Sequence, residues 1–191
     1  GGDMLPEGTS AYIAYSPRAD GTAPNDKAGG GASATDNGAG WDVVLDSTSF
    51  GDGLRLFAGY SSIDQEVSQA GDHDSYVVGG TYAIGSVTLG YQHSKDDFDN
   101  ATGTTYYEND AYAVSFAVND NLSLSWGEHK SDRNSNTAAT NVELTSSSIQ
   151  ASYTMGGATI AIAESSVDNA AYGTAATADI DRTTIWLSLA F

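Results

Sequence analysis

Apolar and polar positions alternate along this chain in ten short segments, and each segment reads as a strand with one apolar and one polar face. The segments are 9–18, 41–48, 54–63, 75–84, 87–94, 111–118, 122–128, 144–155, 158–165 and 179–191. Short turn-forming links, Phe50-Gly51-Asp52-Gly53, Gly85-Ser86, Asn119-Asp120-Asn121 and Gly156-Gly157, join alternate pairs. Long polar links fill 21–40, 64–72, 95–109, 131–141 and 168–178. Antiparallel neighbours reverse direction, so this alternation gathers every long link at one end of the sheet. The prediction is an all-β, antiparallel up-and-down architecture in one domain spanning 1–191.

Parity assigns the two faces. Ile13, Trp41, Val43, Leu56, Tyr76, Val78, Leu89, Val114, Leu124, Ile149, Ile160 and Ile185 fall on one of them. This face is expected to carry no Asp, Glu, Lys or Arg within the segments. The opposite face is small and polar, with Gly59, Gly79, Thr81, Gly90, Ser115, Ser123, Ser125, Ser148, Ser152 and Thr184. The apolar aromatics also sort by height. Tyr15, Trp41, Tyr60, Tyr76, Tyr91, Tyr112 and Trp126 lie toward the long links; Tyr82, Phe116, Tyr153 and Phe191 lie toward the short turns. Two aromatic belts around an aliphatic band are what amphipathic rings form at two membrane interfaces. A midplane Arg or Lys on a lipid-facing strand costs about 2–4 kcal/mol, which accounts for a charge-free face. A soluble sandwich would not order its rings by height.

Composition adjusts this picture little. The sequence has 22 Gly, 11 Tyr and no Cys, so no disulfide or thiolate metal site is open to it. Seven Lys+Arg against 25 Asp+Glu give a net charge of −18, which argues against nucleic acid as a partner. No apolar run approaches the roughly 20 residues of a membrane helix, but barrel strands hide their apolar half by alternation. The start, Gly1-Gly2-Asp3-Met4-Leu5-Pro6-Glu7-Gly8, lacks the basic and apolar regions of a signal peptide. The chain is therefore read as a processed product or a portion of something longer.

The terminal run Ile185-x-Leu187-x-Leu189-x-Phe191 resembles the last strand of outer-membrane β-barrels. Together with D-M-L-P-E-G at 3–8, A-Y-I-A-Y-S at 11–16, L-R-L-F-A-G-Y at 54–60 and the acidic Gly-rich links, the chain resembles general diffusion porins of Gram-negative bacteria, closest to the α-proteobacterial type. Such porins have about sixteen strands. The resemblance implies a transmembrane barrel of which this chain is the C-terminal portion, with roughly six strands supplied by partner sequence. The small residues of the polar face point the same way, because they would fill a narrow ten-stranded barrel poorly. It further implies a homotrimer in the bacterial outer membrane with its long loops extracellular. Lipid and lipopolysaccharide would surround it. The barrel-assembly machinery would recognise Ile185, Leu187, Leu189 and Phe191. Passive diffusion of ions and small hydrophilic solutes requires no cofactor, and the acidic excess implies weak cation preference.

Candidate chemistry follows from parity. Arg18, Arg55, Arg182, Asp42, Asp46, Gln92 and Gln150 are expected to line the pore. Two acidic stretches, Asp64/Glu66/Asp72/Asp74 and Asp96/Asp97/Asp99, offer oxygen ligands for Ca²⁺ without matching an EF-hand. Unliganded, solvated acid is the favoured reading of both stretches over bound Ca²⁺, and divalent ions bridging to lipopolysaccharide are a further one. Asp72-His73-Asp74, His93 and His129 near the long links raise the alternative of a ten-stranded outer-membrane protease of the omptin type. Neighbours on a strand point to opposite faces, however, and no G-x-S-x-G motif is present. A surface adhesin is the third class.

Overall fold

The computed structural model describes residues 5–17, 37–65, 71–99, 103–137 and 140–189. Ten strands form one antiparallel sheet in chain order: β1 (Thr9–Ser16), β2 (Asn37–Ser47), β3 (Leu54–Gln65), β4 (His73–Ile84), β5 (Val87–Asp97), β6 (Thr104–Ala117), β7 (Leu122–Ser135), β8 (Val142–Met155), β9 (Ala158–Asp168) and β10 (Ile180–Leu189). Each strand pairs with its sequence neighbours, and β1 and β10 are the two edges of the sheet.

The tight turns follow from backbone chemistry. Gly85 and Gly156 sit at φ 59° and 61°, where a side chain would be strained. The strands they join pair directly as Ile84–Val87 and Met155–Ala158. At the third turn Asn119 Oδ1 accepts from the amides of Asn121 and Leu122 at 2.9 and 3.0 Å, replacing ladder bonds lost at the bend.

Several strands run well past their expected ends on the long-link side. Lys95 pairs with Glu108 and Asp97 with Tyr106, so the predicted loop 95–109 is largely ladder, with only 98–103 connecting β5 to β6. Likewise β7 continues to Ser135, through residues expected to be loop. Alternation was the wrong signal there. These strand ends carry polar residues on both faces, which suits a ribbon standing in water on both sides. Their backbone groups are satisfied by the ladder all the same.

Among the described residues no second layer covers the apolar face of the sheet. Among the described residues the buried apolar side chains are only Ile63, Ala161 and Ala163. Ile13, Ile185, Leu187 and Met155 are each more than 60% exposed, all on one face. Burying one such side chain gives about 1.5–3 kcal/mol. A single layer leaving this many in water lacks the second layer that soluble domains use.

Register confirms one continuous apolar face. Val87 pairs with Phe116 and Phe116 with Leu124; Leu124 pairs with Ala151, Ala151 with Ile162, and Ile162 with Ile185. The expectation that this face is free of charge within the segments needs correction. Glu164 shares it with Ile160 and Ile162, Glu128 with Leu124 and Trp126, and Asp181 with Ile185 and Leu187. All three stand at the long-link ends of their strands' apolar stretches, beyond Ile162, Trp126 and Ile185.

Candidate functional site

The polar face is ordered in rows running across the strands. One row reads Arg55, Thr81, Gly90, Ala113, Gly127, Ser148, Ser165, Arg182 from β3 to β10. Six small residues thus separate two arginines. The next row toward the long links carries Asp46, Phe57, Gly79 and Gln92, and two rows further lie Asp42, Ser61 and Ser75. Gln150 lies on the short-turn side of the arginine row, between Ser125 and Ala163. Arg55, Arg182, Asp42, Asp46, Gln92 and Gln150 therefore share one face. Arg18 lies outside the described residues.

Arg55 is not a free cation. Its Nε and Nη2 donate to Asp46 Oδ2 at 2.9 and 2.6 Å, and its guanidinium also stands 5.9 Å from the Phe57 ring centre. The Phe57 ring lies across Gly79, where an added Cβ would meet Phe57 Cζ at 2.6 Å. Aromatic cover of a strand glycine on an otherwise polar face was not legible from alternation, because Phe57 breaks it. Trp186 breaks it again on β10, opposite the buried Ala161.

At the long-link end of this face His73 Nε2 lies 2.6 Å from Asp96 Oδ1, and Ser75 donates to the same oxygen at 2.5 Å. His73 stands three residues beyond Tyr76, about 10 Å past the aromatic border. Bonding to Asp96 raises the His73 pKa against the opposing effect of its partial burial. Bonding to His73 lowers that of Asp96. Ser75 and His73 both address the carboxylate rather than each other, so no activated Ser–His pair forms. Asp74, next in the chain, turns to the apolar face and accepts from Tyr60 at 2.9 Å.

Beside this pair lies a group that sequence reasoning missed. Tyr107 on β6 and Ser131 and Arg133 on β7 meet Tyr172, which comes from the link between β9 and β10. Tyr172 is the only aromatic residue in the small-residue stretch 169–179, and that isolation was the one available signal.

The apolar border has its own pattern. Tyr91 donates to Asp110 at 2.7 Å, Tyr76 and His93 are bonded at 3.2 Å, and Lys95 pairs with Asp97 at 2.7 Å. Ring bodies thus belong to the apolar band, while hydroxyls reach a charged row above it. Strand alternation divides the expected Ca²⁺ ligands between the two faces. Asp96 faces the polar side, whereas Asp74 and Asp97 fall on the apolar side by register and Asp64 by alternation along β3. No three acidic or histidine side chains gather as a metal site among the described residues. Glu66 lies outside those residues, as does Phe191 of the terminal run; Ile185, Leu187 and Leu189 occupy alternate positions of β10. Asp72 and Asp99 stand beyond the strand ends, in the links.

Comparison with solved structures finds a porin, described as refined at 1.8 Å resolution, with TM-score 0.61 and 14% sequence identity. The match covers 96% of this chain and 58% of that one, so the chain spans rather more than half of that porin's length. At this identity the likeness establishes a porin-like fold. No protein-family model matches the sequence, and no curated protein does.

Proposed function

We propose that this chain forms part of the wall of an outer-membrane porin that passes ions and small hydrophilic solutes passively. The observation that carries this is the sheet itself. One face is an apolar band bordered by tyrosine hydroxyls and charge, and the other is small, polar and crossed by charged rows. Lipid on the first face and water on the second satisfy both without a second protein layer.

Two unpaired edges and 58% coverage of a porin chain support a larger barrel of about sixteen strands completed by further sequence. The reading places the long links outside the cell, with lipopolysaccharide beside them, three copies to an assembly, and the strand ending at Phe191 as the assembly signal. It includes no catalytic step. The net charge of −18 favours cations at the channel mouth, an attraction that salt screens. The natural protein containing this sequence, reconstituted in planar bilayers, should give stepwise currents and a reversal potential of cationic sign in a low-salt gradient. A membrane-inserted barrel that carries no current would contradict the reading.

A further inference from the structure

The two faces of the sheet carry their charges differently. On the polar face, within the strands, Asp42, Asp46 and Asp96 stand against Arg55, Arg133 and Arg182. Acid and base balance there one for one, and the Arg55–Asp46 ion pair closes at 2.6 Å. On the other face every strand from β3 to β10 carries at least one carboxylate beyond its apolar stretch, from Asp64 on β3 to Asp181 on β10. Among the described residues the lysines of that face are Lys95 and Lys130 alone. Each already stands beside an acid, Lys95 at 2.7 Å from Asp97 and Lys130 at 3.9 Å from Glu128. The acidic excess of the strands is therefore gathered on the face that does not line the channel.

This belt of carboxylates repels itself. Glu108, Asp132 and Glu143 lie directly opposite one another on β6, β7 and β8, and Asp74 lies opposite Asp97 on β4 and β5. Like charges at opposed ladder positions destabilise a sheet. Burial, and then the neighbouring carboxylates Glu143, Glu108 and Asp110, push the Asp132 carboxyl above its ordinary range. Asp132 also stands well past the aromatic border at Trp126, about 20 Å further along β7. The belt thus rims the mouth of the channel, clear of the hydrocarbon.

Charges on the outside can act on ions inside because the wall is a single sheet, about 10 Å thick by the spacing at which sheets stack. Screening lengths are about 30 Å at 0.01 M salt, about 10 Å at 0.1 M and about 3 Å at 1 M. The field of the belt reaches the channel mouth in dilute salt and is cut off in concentrated salt.

We propose that the cation preference this chain gives the channel is set from outside the pore: the outward carboxylates of β3 to β10 supply it, while the wall facing the channel adds no net charge. This rests on the porin reading and names the residues behind its selectivity. Glu108, Asp132 and Glu143 form the centre of the belt, since among the described residues no lysine makes an ion pair with any of them. They draw cations to the mouth as a diffuse layer, with none held at a fixed site.

Glu108→Gln, Asp132→Asn and Glu143→Gln, combined in the full protein, test this in a planar bilayer of zwitterionic lipid. Near about 0.01 M salt the cation-to-anion permeability ratio should fall toward unity, and near about 1 M the variant should match the unaltered protein. An unchanged ratio in dilute salt overturns the proposal. A shift equally large near about 1 M also overturns it, because it would put these carboxylates in the ion path. Should that variant fail to assemble, Asp168→Asn with Asp181→Asn, both exposed on the same face, carries the same expectations and the same contradictions. Absence of current from the unaltered protein sinks the porin reading and the proposal with it; current with an unmoved reversal potential sinks the proposal alone.

Discussion

Arg55 grips Asp46 through two nitrogens of its guanidinium, while Arg182, at the other end of the same transverse row, has no ion-pair partner among the described residues. The two arginines therefore differ in what their removal leaves behind. Asp46→Asn should expose a lone Arg55 and shift reversal potential toward anions. Arg55→Ser should expose a lone Asp46 and shift it toward cations, and the double variant should return close to the starting value. The Arg55 side chain is more than half exposed and that of Asp46 partly so, so every shift should shrink as salt rises. Two single variants shifting in the same direction would remove Asp46 and Arg55 from the conduction path.

Gly79 tests the packing of the polar face. A Cβ there would meet Phe57 Cζ and the Tyr91 carbonyl oxygen, each at 2.6 Å. The ring can swing aside, but the carbonyl belongs to the neighbouring strand and cannot. Gly79→Ala should lose about 1–3 kcal/mol, the usual cost of overpacking, seen as a lower urea midpoint for the folded barrel. Gly90 is a matched control, since its nearest neighbours, the Ala113 and Thr81 side chains, would lie 3.7 and 3.8 Å away. Equal losses at both positions would refute the close approach.

What the sequence disclosed and what it hid divide along physical lines. Alternation located all ten strands, and the order of short and long links located their directions, because a two-sided environment imposes period two. That imprint ends where the environment ends. Residues such as Lys95, Glu108, Lys130 and Asp132 carry no face preference in sequence, yet all are paired strand. Of the candidate site, parity placed Asp42, Asp46, Arg55, Gln92, Gln150 and Arg182 on one face. Parity says nothing of tertiary contact, so the Arg55–Asp46 pair, the Phe57 cover of Gly79 and the inward Tyr172 were out of its reach.

Depth sets the tolerance for charge on the apolar face. Glu164 accepts from Thr183 at 2.6 Å at the long-link end of the apolar stretch of β9, whereas Ile162 lies one row deeper, beside Ala151 and Ile185. Ile162→Arg should cost about 2–4 kcal/mol of folding stability in bilayers, and Glu164→Arg no more than about 1 kcal/mol. Similar costs at the two positions would place the membrane border elsewhere.

The His73–Asp96 bond gives the long-link end a pH dependence. His73 has its pKa raised from 6.5, so its contribution is complete below 6.5 and is lost as pH climbs through the raised value. Asp96 has its pKa lowered from 3.8, so its contribution is complete above 3.8 and is lost as pH falls through the lowered value. The ends of β4 and β5 should be best protected between those two limits and loosen as pH rises through the raised His73 value. Hydrogen exchange of the amides near Ser75 and Asp96, intrinsic pH effect removed, should show this in the unaltered protein and not in His73→Gln. The same profile in both would assign the change to other groups.

The central claim is that one face of the sheet meets water in a conducting pore while the other meets lipid, and a single-cysteine scan during channel recording tests it most directly. Cysteine is placed in turn at Ser115, Ser125 and Ser148 on the polar face and at Val114, Leu124 and Ile149 on the apolar face, in a sequence with no cysteine of its own. A charged, water-soluble thiol reagent should step the current down at the three serine positions and leave it unchanged at the three apolar ones. Current falling at Val114, Leu124 and Ile149 instead, or at neither set, would contradict the account.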